Sequence, residues 1–101
     1  MANYNISITA NHTFAPQTQE VKSGDTVTWL DNDPDPNTSH TVTPDDPTAF
    51  QGSGDINAGD TFGPINFSGA PRTIPYYCQY HGGPGGVGMS GQIVVVLSCN
   101  G

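Results

Sequence analysis

The chain has 101 residues, the size of one domain, with 2 Lys plus Arg against 9 Asp plus Glu and a net charge of −7. That balance excludes nucleic-acid binding, which needs a basic face to neutralise phosphates, and attraction to an anionic membrane surface. No apolar run approaches the ~18 residues of a membrane-spanning helix, and no repeat or linker divides the chain, so a single domain over 1–101 is expected.

The N-terminus shows no charged segment followed by an apolar one, so either the protein is cytosolic or a leader has been removed. Asn5-Ile6-Ser7-Ile8-Thr9 alternates with period two and predicts a strand. His12 follows it in Asn11-His12-Thr13-Phe14 and is read as an exposed or hydrogen-bonded turn histidine. A short strand over 19–22 and the turn Ser23-Gly24-Asp25 lead into the alternating Thr26-Val27-Thr28-Trp29. Asp33-Pro34-Asp35-Pro36-Asn37 is a turn, and a strand is predicted over 40–43. The polar segment 44–59 should be irregular, and strands follow over 61–67, 73–78 and 92–98. The last contains Ile93-Val94-Val95-Val96-Leu97, apolar on both faces, and should be central in its sheet. Helical periodicity is absent. Short strands punctuated by turns predict an all-β sandwich or barrel.

Between the last two strands stand Cys78, His81 and Met89, with seven residues from Gly82 to Gly88 separating His81 from Met89. Cys-x2-His brings a thiolate and an imidazole within reach of one metal ion. Two imidazoles, one thiolate and a weak axial thioether are the ligand set of a type 1, blue-copper centre. The second imidazole must be His12 or His40. His40 is the better candidate, because Ser39-His40-Thr41-Val42-Thr43 carries a loop into a predicted strand that would hold the ring. Gln92 or a loop carbonyl are alternatives to Met89 as axial ligand. Zinc also accepts thiolate and imidazole, but a methionine rather than a further Cys or His favours copper. The residue-level alternative is a Cys78–Cys99 disulfide with a casual histidine nearby.

Gly24-Asp25-Thr26-Val27-Thr28-Trp29, Asn32, Ser39-His40-Thr41-Val42, Ala58-Gly59-Asp60-Thr61-Phe62, Tyr76-Tyr77-Cys78-Gln79-Tyr80-His81 and Gly88-Met89-Ser90-Gly91-Gln92-Ile93-Val94-Val95 occur in that order. With these motifs the chain resembles the cupredoxins, in particular plastocyanin, pseudoazurin and halocyanin, from residue 18 onward. The resemblance implies a Greek-key β-sandwich of about eight strands. It implies one type 1 copper held by His40, Cys78, His81 and Met89, and single-electron transfer rather than enzymatic turnover. It also implies a monomer outside the cytoplasm, meeting redox partners transiently, with the His81 edge as electron port. Two departures stand out: the His81–Met89 spacing is longer than is usual in the family, and so is the segment between Trp29 and His40.

Details follow as expectations. The Thr41 N–H should reach the Cys78 sulfur, and Asn32 should tie the His40 loop to the C-terminal loop. Gly82, Gly83, Pro84, Gly85, Gly86 and Val87 should form a flat docking patch, unless these glycines serve only the backbone. Asp31, Asp33, Asp35, Asp45 and Asp46 form an acidic stretch that would steer a basic partner, unless it serves only solubility. The competing functions are a copper store or delivery protein of the same fold, a metal-free binding module with the Cys78–Cys99 bridge, and an enzyme domain with an open copper position. Glu20 is the only glutamate, and no paired-carboxylate or Ser-His-Asp arrangement stands out.

Overall fold

The computed structural model describes residues 2–97. Its strands are β1 (Asn3–Ile8), β2 (Phe14–Ala15), β3 (Thr18–Lys22), β4 (Asp25–Asp31), β5 (Thr43–Pro44), β6 (Thr61–Phe67), β7 (Arg72–Gly83) and β8 (Val87–Val96). They form two four-stranded sheets, ordered β2-β1-β4-β6 and β3-β8-β7-β5, with no helix among the described residues. This is the predicted Greek-key sandwich, and both sheets are mixed: β1 runs parallel to β4 and β3 parallel to β8.

Period-two alternation sets which side chains meet between the sheets. Asp25, Val27, Trp29 and Asp31 of β4 all point inward, as do Ile6 and Ile8 of β1. The facing sheet contributes Val21, Ile74, Tyr76, Cys78, Met89, Ile93 and Val95. Trp29 sits at the centre, edge-on to Tyr76 with ring centroids 5.3 Å apart and flanked by Phe50, Phe62 and Phe67. Burying such a ring against aromatic neighbours adds ~0.5–1.5 kcal/mol per pair to its area burial. The apolar run of β8 is central, between β3 and β7, as predicted. Pro64 lies in β6, an edge strand, where its missing N–H disturbs no inner ladder.

Two expectations change, and a third, the irregularity of 44–59, holds with a refinement. The strand predicted over 40–43 shrinks to a single bridge, His40 to Ile56, followed by the two-residue β5, where Pro44 supplies no N–H. The segment 44–59 is irregular but tied down: Ser53 Oγ accepts the Val42 N–H at 2.8 Å, and the Ser53 N–H reaches Val42 O at 3.0 Å. The glycine-rich segment is no open loop. β7 and β8 run past their predicted ends and pair Gly82 with Gly88 and Gly83 with Val87, so only Pro84, Gly85 and Gly86 form the tip. At its other end β8 stops at Val96, and Cys99 lies outside the described residues.

Candidate metal centre

The ladder between β7 and β8 is regular from Arg72 to Tyr77 and then breaks. Between the pairs Tyr77–Ser90 and Gly82–Gly88, the four residues Cys78 to His81 stand opposite the single residue Met89. Up to the break, alternation sends Ile74, Tyr76 and Cys78 into the core. A regular strand would then send His81 to the opposite face. The bulge re-aims it, which is a common use of bulges beside functional sites. Cys78 Sγ lies 3.5 Å from His81 Nδ1 and 3.8 Å from His40 Nδ1. These three donor atoms lie within 4.8 Å of one another, with Cys78 and His40 buried and His81 half-buried.

Met89 is buried, 3% exposed, directly across the bulge. It lines a cavity of about 130 Å³ with His12, Thr13, Phe14, Gln17, Gly88 and Ser90. The close approach of the two strands depends on glycine. A Cβ at Gly82 would fall 2.5 Å from Met89 O, and one at Gly88 would fall 2.6 Å from His81 O. Backbone geometry is thus what these two glycines serve.

Several polar groups around the sulfur are paired. The Thr41 N–H points at Cys78 Sγ at 3.4 Å, as expected from the sequence. The Thr41 hydroxyl accepts the Gln79 N–H at 2.9 Å, clamping the His40 segment to β7. His40 is fully buried, and its Nε2 is 2.9 Å from Asp33 Oδ2. That hydrogen bond, then the Asp35 backbone N–H, holds the Asp33 carboxyl below the usual carboxylate range. Asp31, two residues earlier, is pushed up, chiefly by burial. Burial, then the facing rings of His12 and His40, hold His81 below the usual imidazole value.

Two assignments made from the sequence are corrected. Asn32 does not tie the loops together: it is exposed and donates from Nδ2 to Ser7 Oγ at 2.8 Å. Asp33 is the residue that reaches His40. The alternation of β4 carries this signal, since extending its inward set Asp25, Val27, Trp29 and Asp31 by one step reaches Asp33 and leaves Asn32 outside. The acidic stretch is also smaller than its sequence suggests, because Asp31 and Asp33 are buried. His12 is exposed and in a turn, as expected, but it is not isolated. At φ 58° it lays its ring on His81 with centroids 3.9 Å apart, and it joins Asp33 and His40 in a second cluster of ligand-type atoms. Nothing in the spacing reveals a stack between residues so far apart in the chain.

No family model matches the sequence. The structure is similar to a purple cupredoxin from Nitrosopumilus maritimus, with TM-score 0.70 and 26% identity over 91% of this chain and 98% of that one. This chain has the cupredoxin fold. Amicyanin, in a variant solved as Cu(I), matches with TM-score 0.71 and 23% identity over 91% of this chain and 80% of that chain. A Cu-containing nitrite reductase from Thermus scotoductus also superposes, with TM-score 0.71 and 19% identity over 93% of this chain but 22% of its own length. Within a cupredoxin sandwich, a cluster of two imidazoles, a cysteine sulfur and a buried methionine fits one type 1 copper ion.

Proposed function

We propose that residues 1–101 form a single-domain, monomeric electron carrier whose one type 1 copper is held by His40, Cys78, His81 and Met89. The observation that carries this reading is the convergence of two Nδ1 atoms and one Sγ at the end of the sandwich. When bound, copper supplies a one-electron Cu(II)/Cu(I) couple. The chain's own residues hold the ligands so that both oxidation states meet nearly the same geometry. His40 and Cys78 are buried and fixed by Asp33 and by the Thr41 N–H, a bond that also draws charge from the sulfur. His81 reaches the surface beside Tyr80, which is 53% exposed, at an open cleft lined also by Asn37, Thr38 and Ser39. That edge is the port we assign to electron exchange.

Redox partners meet this face briefly, through a small interface. With net charge −7, a basic partner is the natural complement, and Asp35, Asp46 and Asp55 supply exposed acidic groups. No helix among the described residues is long and apolar enough to cross a membrane. A location outside the cytoplasm follows from the resemblance. We read the domain as a carrier and not an enzyme, because four protein donors, two of them sulfur, fill the copper coordination. The likeness to the nitrite reductase reaches only 22% of that chain.

Voltammetry of the copper-loaded protein tests the function. A carrier gives one reversible one-electron wave. An irreversible response, or none, assigns the domain instead to copper storage or delivery.

A further inference from the structure

The stretch between β4 and His40, one of the two departures from the family pattern, is built as a ladder. The Asp31 carboxylate accepts the Asp33 N–H at 2.9 Å, Asp33 Oδ1 accepts the Asp35 N–H at 3.1 Å, and Asp35 Oδ1 accepts the Asn37 N–H at 2.9 Å. Each step is an Asx turn, which fixes a side chain by its own backbone. Asp33 is therefore restrained at both ends, and with Oδ1 occupied only Oδ2 faces His40. The Asp33 side chain is 4% exposed and that of His40 0%.

Resting on the copper reading above, we infer that Asp33 is a positioning residue that sets the His40 tautomer and lowers the reduction potential of the centre. An ionised carboxylate offers only acceptors, so Nε2 must carry the proton. The lone pair of a neutral imidazole then belongs to Nδ1, the atom that faces Cys78 Sγ. The ring is thus ready to ligate before metal arrives. A buried negative charge across the ring also favours the more positive ion, Cu(II), over Cu(I). Asparagine cannot replace aspartate here. Its amide has one acceptor oxygen, whereas Asp33 accepts from both the Asp35 N–H and the His40 Nε2–H.

The test is Asp33→Asn, nearly the same size, with Glu20→Gln as a control that removes an equal charge from exposed β3. Two readouts are taken: nitrogen NMR of the copper-free protein for the His40 tautomer, and voltammetry of the copper form. In the wild type we expect the Nε2–H tautomer alone. D33N should show a substantial Nδ1–H fraction. Its preference for Cu(II) over Cu(I) should fall about tenfold, the lower end for loss of an outer-shell partner, which is a potential higher by about 59 mV. E20Q should change neither. An unchanged potential in D33N, or the same tautomer in both proteins, overturns the inference. If the wild type shows no copper wave, it is the carrier function that fails, and the NMR comparison still decides the tautomer claim.

Discussion

Cys78 is flanked by residues that each answer one need of a metal-bound sulfur. Thr41 donates its N–H to it at 3.4 Å, and His40 and His81 turn their Nδ1 atoms toward it. Met89 brings a soft thioether to the same end of the sandwich. In the proposed ligand set it is the weak donor, so it should tune the copper without being required to hold it. Met89→Gln is therefore expected to keep copper bound while moving both the colour and the potential. An absorption spectrum and voltammogram superposable on those of the wild type would remove Met89 from the ligand set. Three of the proposed ligands stand close together in sequence, which made the centre legible. A strand-like context anchors a ring, which favours His40 over His12, and the structure buries His40. Motif order points to Asn32, whereas strand parity distinguishes it from Asp33, which is the residue that reaches His40. The turn that lays His12 on His81 is set by a positive φ that no sequence pattern announces.

At the level of elements, the β7–β8 hairpin is what makes the centre possible. Its bulge was not legible, because a run of glycines between two strands reads equally as loop or ribbon. Gly82→Ala tests it. The added methyl would meet Met89 O and N and Val87 O at 2.5–2.6 Å, all backbone atoms that cannot step aside. We expect a loss of about 1–3 kcal/mol in denaturant unfolding, the range for overpacking, together with weaker copper binding. A second joint ties the N-terminus and the β3–β4 turn. The Asp25 carboxylate accepts the Ala2 N–H and the Lys22 N–H, both at 2.9 Å. These two bonds, Ala2 first, hold its pKa below the ordinary 3.8. A depressed carboxylate adds stability above its unfolded value and loses it as pH falls through the folded one. Asp25→Asn should therefore be less stable than the wild type at neutral pH, and the gap should start to narrow below pH 3.8 and close as the pH falls through the lower folded value. Urea midpoints measured from pH 7 downward check this; a gap that stays constant would assign the effect to something other than ionisation.

Over the whole molecule, alternation and turn residues point to an all-β sandwich or barrel, and the resemblance to the cupredoxins narrows this to the eight-stranded sandwich observed. The parallel pairing of β1 with β4 and of β3 with β8 was not specified, since period two places a strand's faces but not its neighbours. Charge also acts at this scale. If the acidic surface steers a basic partner, the second-order reaction rate should fall as salt rises from 0.01 to 0.15 M, where the screening length drops from ~30 to ~8 Å. A rate indifferent to salt would leave the acids to solubility alone. The whole account depends on one copper ion bonded to the Cys78 sulfur. Titrating copper-free protein with Cu(II) while recording the visible spectrum measures that bond. We predict an intense sulfur-to-copper charge-transfer band that saturates at one equivalent and is absent from folded Cys78→Ala. No such band in the wild type, or the same band in the variant, would contradict the account.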